Sequence, residues 1–216
     1  MLEIQSWTVG PFAENPYLLA CAGTGQAVFI DPGDAAGRLI RAVEAAGVTM
    51  TAILLTHAHL DHVAALTELR EATGAPVYLH SADDALLQDA PRQWRTFGKQ
   101  IGLIAPAEHE LRHGDVITFG QCELHVIHTP GHTPGCVCLY SAADQLLIGG
   151  DTLFFESVGR TDMPGGSTET LYHSIRTHLW TLPDETQVLP GHGPPTSIGH
   201  ERMHNPFVGE RARGNG

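Results

Sequence analysis

The run Thr56-His57-Ala58-His59-Leu60-Asp61-His62 constrains this chain more than any other segment. It follows Ala52-Ile53-Leu54-Leu55, a wholly apolar stretch of strand length. Beyond it, Leu66 and Leu69 recur at helical spacing and Gly74 is a stop signal, which predicts a helix from Asp61 through Thr73. The histidines therefore sit on a strand-to-helix turn. In an extended backbone, residues two apart point the same way, so His57 and His59 can converge on one ion, while Asp61 and His62 have turned into the helix and can face a second. Neutral imidazole suits zinc and iron, and a carboxylate hardens such a site without making it a calcium or magnesium cage. The plainer reading, Asp61 as a helix cap among solvated histidines, has to account for four ligand-type side chains in a single turn.

Three later segments repeat the pattern of an apolar strand ending in a loop that carries a ligand-type residue. Cys122 to Ile127 runs into His128-Thr129-Pro130-Gly131-His132-Thr133-Pro134-Gly135, where paired Pro-Gly turns stiffen the loop that presents His132. Leu146-Leu147-Ile148-Gly149-Gly150 ends in Asp151, with two glycines permitting close backbone approach. Val188-Leu189-Pro190-Gly191 leads to His192. Each ligand stands at the carboxyl end of a strand, where open sheets gather their sites.

Asp31 in Ile30-Asp31-Pro32-Gly33, the THAHLDH run, His132, Asp151 and His192, in that order, resemble the five successive motifs of the metallo-β-lactamase fold, over residues 15 to 208. The resemblance implies an α/β fold, a four-layer αββα sandwich, as one domain over residues 1–216. It implies that His57, His59 and His132 hold one metal, that Asp61, His62 and His192 hold the other, and that Asp151 bridges them. Asp31 would orient the site without binding metal, or would simply be a turn carboxylate before Pro-Gly. Within the superfamily, Asn15-Pro16-Tyr17-Leu18-Leu19, Ser157-Val158-Gly159-Arg160-Thr161-Asp162 and Glu201-Arg202-Met203-His204-Asn205-Pro206 make the chain most similar to the glyoxalase II (hydroxyacylglutathione hydrolase) group, in its short bacterial form without a C-terminal helical domain.

That resemblance implies a dinuclear hydrolase cleaving S-lactoylglutathione or a similar acyl-thiol, with two divalent ions, zinc first and iron or manganese as alternatives. A metal lowers the pKa of bound water to about 7, and a thiol of pKa near 8.5 leaves without a further acid. Asp61 is the residue expected to orient the nucleophile as well as bind metal. The competing class is the mononuclear iron persulfide dioxygenases, similar proteins that share the Gly-Arg-Thr-Asp segment. Arg160 and Asp162 could fix their loop or bind a substrate carboxylate, or be a surface ion pair. Tyr17 could touch substrate or be an ordinary strand tyrosine.

Composition agrees. A 216-residue chain that is 42% hydrophobic can build a sizeable core, and its net charge of −12 argues against nucleic acid as a partner. A small acyl-thiol is the expected partner, and a monomer or small homo-oligomer the expected state. No run approaches a membrane span, and the N-terminus has no signal-peptide pattern, so the cytoplasm is the expected location. The four cysteines lack Cys-x-x-Cys spacing and read as reduced, buried thiols. Residues Asp83 to Ile104 read as an amphipathic helix, broken at Pro91, that would serve as a lid, a subunit contact or a plain surface helix. Ser167 to Leu182 reads as a second helix with Leu171, Ile175 and Leu179 inward.

Overall fold

The computed structural model describes residues 1–210 and 212. They form two compact units, residues 1–111 with 118–123, and residues 112–117 with those from 124 onward. The two carry a six-stranded sheet each, giving the expected mixed α/β class.

The first sheet runs in chain order: β1 (Leu2–Ser6), β2 (Tyr17–Cys21), β3 (Gln26–Ile30), β4 (Thr49–Leu54), β5 (Val77–Leu79) and β6 (His109–Glu110). Strands β1 to β3 pair antiparallel, and β3 to β6 pair parallel. The parallel steps need crossovers, and helices α1 (Ala36–Ala46), α2 (Leu66–Thr73) and α3 (Asp84–Thr96) fill them. Strands β2 and β3 read as apolar runs because both of their faces are buried. Leu18, Phe29 and Ile53 pack with Leu39 and Val43 of α1, Leu66 and Leu69 of α2, and Leu87 and Trp94 of α3. Each such fully buried side chain contributes about 1.5–3 kcal/mol.

Two helices differ from expectation. The helix after the histidine run begins at Leu66, preceded by a short 3-10 turn at Leu60–His62, because the amides of Ala64 and Ala65 donate to the carbonyls of Gly33 and Pro32 instead of continuing a helix. Gly74 ends α2 as expected, with left-handed φ of 67° and its amide on the Arg70 carbonyl. Helix α3 runs straight through Pro91. The lost amide is offset by burial, since Leu87, Ala90, Pro91 and Trp94 all face inward. Trp94 is thus core and not the contact residue of a lid.

The second sheet has the order β14-β13-β10-β9-β8-β7, built from β7 (Val116–Phe119), β8 (Cys122–His128), β9 (Val137–Ser141), β10 (Leu146–Gly150), β13 (Gln187–Pro190) and β14 (Thr196–Ser197). A hairpin, β11 (Leu153–Phe154) with β12 (Ser157–Val158), follows β10. Helix α4 (Thr168–His178) starts at Ser167, whose hydroxyl accepts the Thr170 amide, and buries Leu171 and Ile175 against Cys138, Leu147 and Val188, joined by Leu179 and by Ile198 of α5 (Ile198–His204). Cys21, Cys122, Cys136 and Cys138 are buried thiols that form no disulfide with one another. Among the described residues, no helix is long and apolar enough to cross a membrane.

Candidate metal centre

In the first unit the ligand-type residues leave the end of β4, and the Asp31 loop holds them. Asp31 has a left-handed φ of 49° and is buried. Its Oδ1 accepts the Thr56 amide at 2.7 Å, and its Oδ2 accepts the Thr56 hydroxyl at 2.5 Å and faces His62 Nδ1 at 3.1 Å. Thr56 has one hydroxyl proton and gives it to this carboxylate, so toward His57 Nδ1, 3.1 Å away, the same oxygen offers a lone pair. The network thus assigns the Nδ1–H tautomer to His57 and to His62 and directs the Nε2 lone pair of each away from it. Pro32 and Gly33 supply the two carbonyls that stop the helix, and a Cβ on Gly33 would lie 2.1 Å from the Asp61 carbonyl and 2.2 Å from Glu14 Oε2.

Other partners fix the turn from beneath. The Ala58 amide donates to Asp83 Oδ2 at 3.1 Å, and Trp94 Nε1 donates to the Leu60 carbonyl at 2.7 Å. Glu14 is buried with its Oε1 3.9 Å from His62 Nδ1. Tyr17 is buried, and its hydroxyl is held well above its ordinary pKa by that burial and then by the charges of Glu14 and Asp31. Glu14 and Asp83 escape a reading of the sequence because neither belongs to a pattern of ligand spacing; Thr56 carries the one signal, its place directly before the first histidine.

In the second unit, His132 sits in a loop closed by the Thr129 amide on the Cys136 carbonyl and the Gly131 amide on the Thr133 carbonyl. Gly131 has φ of 139°, and a Cβ there would lie 2.3 Å from the Leu171 amide nitrogen, so glycine is required. His128 reaches into the same loop, with Nε2 2.9 Å from the Pro134 carbonyl. His132 Nδ1 donates to the Arg160 carbonyl at 2.7 Å, which again directs Nε2 outward. The Arg160 side chain turns to Asp162 in an exposed two-bond pair at 2.7 and 2.8 Å, which holds the Asp162 carboxyl down at about 2. What Arg160 gives His132 is therefore its backbone.

Asp151 directly follows β10, and its Oδ2 lies 3.5 Å from both His132 Nε2 and His192 Nε2. That is longer than an ordinary N–H···O bond of about 2.7–3.2 Å. Two ligand atoms around one tetrahedral zinc, at bond lengths of about 2.0–2.1 Å, stand roughly 3.3–3.4 Å apart. The donor set, imidazoles with Nδ1 engaged and carboxylates close by, fits a transition metal. Among the described residues of the first unit, donor atoms of Asp31, His57 and His62 fall within 4.8 Å of one another. In that group the Asp31 oxygens also accept from Thr56, which gives that carboxylate an orienting position.

Comparison with known proteins agrees with this donor set: the model of the metallo-beta-lactamase superfamily matches residues 9–192, and the chain belongs to that superfamily. It is 41% identical to the probable metallo-hydrolase YqgX of Bacillus subtilis, over 93% of this chain and 94% of that one. It is 36% identical to the hydroxyacylglutathione hydrolase GloC of Haemophilus influenzae, over 86% of this chain and 89% of that one. Among solved structures it is similar to the BLEG-1 B3 metallo-beta-lactamase, with a TM-score of 0.89 and 40% identity over 95% of this chain and 99% of that one. It is also similar to TTHA1623 in a di-iron-bound form, with a TM-score of 0.86 and 41% identity over 94% and 99%.

Proposed function

We propose that this chain is a dinuclear metal-dependent thioester hydrolase of the glyoxalase II type. His57, His59 and His132 would hold one ion, Asp61, His62 and His192 the other, and Asp151 both. The observation that carries the reading is the single Asp151 oxygen 3.5 Å from two imidazole nitrogens. The identity shared with GloC supports the substrate class, a small acyl-thiol such as S-lactoylglutathione. Zinc is the first choice of metal, with iron or manganese as alternatives, and the similarity to a di-iron-bound structure keeps iron in view.

Bound ions of this kind supply Lewis acidity toward a thioester carbonyl and acidify water into the neutral range. The chain supplies the rest. Asp61 accepts a hydrogen bond from the attacking water and fixes its approach to the acyl carbon. Asp31, Thr56 and the Arg160 carbonyl keep His62, His57 and His132 in one tautomer, so no ring has to reorient during turnover. A leaving thiol with pKa about 8.5 departs as thiolate, so the residues need provide no further acid. The chain's charge of −12 fits a small-molecule substrate and not a nucleic acid. We place the enzyme in the cytoplasm, away from membranes, as a monomer or small homo-oligomer.

The test is thioester loss from S-lactoylglutathione by metal-replete protein beside its Asp61→Ala variant. Turnover that falls at least a hundredfold in the variant supports the reading. No turnover by the intact protein, together with oxygen uptake on glutathione persulfide, would replace it with the single-iron dioxygenase.

A further inference from the structure

Glu201 is wholly buried in α5, outside the donor set, and its carboxylate joins the two loops that follow Asp151 and His192. Oε1 accepts the Thr196 hydroxyl at 2.5 Å, on the strand that closes the His192 loop. Oε2 accepts the Glu156 amide at 3.0 Å, at the tip of the hairpin that follows Asp151. Glu156 has a φ of 51°, a left-handed conformation that disfavours a non-glycine residue, so the bond to Glu201 holds a turn that would otherwise relax. Asn205, one helical turn on, donates through Nδ2 to Glu201 Oε2 at 2.8 Å and to the Ser157 carbonyl at 3.0 Å, fastening the other side of the same hairpin. The remaining charged groups at hand do not take over this work. His200 Nε2 pairs with Glu156 Oε1 at 3.2 Å and is 3.9 Å from Glu201, and the Arg202 guanidinium donates to the Trp180 and Leu182 carbonyls.

The hairpin and the loop then meet at the ligands. Phe154 sets its ring edge-on to His192, with centroids 6.2 Å apart, and Gly159, just past the hairpin, packs its backbone on the Asp151 carbonyl. We propose that Glu201, seconded by Asn205, is a positioning residue: by tying both loops to one buried carboxylate, it fixes the separation of Asp151 and His192 and so the affinity of the site for metal. The inference rests on the metal-binding part of the function proposed above and not on the substrate.

The experiment is calorimetric titration of chelator-stripped protein with Zn²⁺, for the wild type, Glu201→Gln and Thr196→Val, with circular dichroism and thermal melting of each. Glutamine keeps the volume but puts an NH₂ where an oxygen accepted, so it cannot serve all the donors that Glu201 serves. Zn²⁺ affinity should fall by about 10–100-fold for Glu201→Gln, the usual effect of removing a group that orients a ligand, and less for Thr196→Val, which cuts only the arm to the His192 loop. Folded variants with wild-type affinities overturn the inference, as does lower melting temperature with unchanged Zn²⁺ affinity. If Glu201→Gln fails to fold, the Thr196→Val titration decides. If the wild type takes a single ion, the dinuclear reading fails by itself, and Glu201 is judged on the affinity of that ion.

Discussion

Asp31 Oδ2 lies 3.1 Å from His62 Nδ1, and the residue that makes this contact sits at a left-handed φ of 49°. The backbone is bent so that one carboxylate can serve the Thr56 amide, the Thr56 hydroxyl and an imidazole together. A conformation that disfavours most side chains is retained where the surroundings hold it, and here they are the ligand-bearing turn.

The substitution Asp31→Asn isolates this carboxylate, because asparagine tolerates the left-handed backbone. An amide presents one oxygen and one NH₂, so either the Thr56 donors or His62 must meet a donor. Zn²⁺ affinity should drop by about 10–100-fold with the fold retained, measured by competition with a chromophoric chelator. An unchanged affinity would mean that His62 needs no orienting partner.

Gly159→Ala tests the backbone beside Asp151 and His132 in the second unit. The new methyl would lie 1.9 Å from the Asp151 carbonyl oxygen and 3.2 Å from His132 Cβ, so Asp151 has to move. Metal content after dialysis should fall well below that of the wild type, and the melting temperature should fall with it, by the equivalent of about 1–3 kcal/mol. Full metal content in the variant would show that the loop adapts without disturbing the ligand.

Cys138 predicts an alkaline weakness. Burial pushes its thiol up to about 11, with the Thr129 and Thr152 hydroxyls opposing the shift. In the unfolded chain the same thiol ionises near 8.5. The native state therefore holds the proton that the unfolded state releases. The thiol's contribution is complete below the unfolded value and is lost as pH rises toward 11, at a slope of up to about 1.4 kcal/mol per pH unit. Urea melts between pH 8 and 11 should show a shallower decline for Cys138→Ala than for the wild type; parallel declines would exclude this thiol as the cause.

The parts of the molecule legible in the sequence are those whose signal is local. His57, His59, Asp61 and His62 announce themselves by spacing, and Leu171, Ile175 and Leu179 by the helical repeat that the structure buries. The parts missed depend on contacts distant in sequence. The start of α2 is set by the carbonyls of Pro32 and Gly33, about thirty residues upstream, and no local propensity reports that. Pro91 reads as a break, yet the helix continues because its inward face is covered. Trp94 reads as an interface residue and instead donates to Leu60 beneath the histidine turn. Glu14 and Asp83 become meaningful only when the chain brings them to His62 and Ala58. For Arg160 the residue was legible but not its contribution, since it is the main-chain oxygen that holds His132.

Helix α5 is the last α-helix among the described residues, and it holds the carboxylate to which the hairpin after Asp151 and the strand after His192 are tied. During synthesis, Asp31, Thr56, His57 and His62 can settle their bonds while more than half of the chain is still to be made. The bonds that hold the hairpin after Asp151 and the strand after His192 can form only once Glu201 and Asn205 have left the ribosome. The order of translation therefore imposes an order on these bonds: those of the histidine turn can form first, and a nascent chain stalled before residue 201 lacks the carboxylate that joins the two later loops.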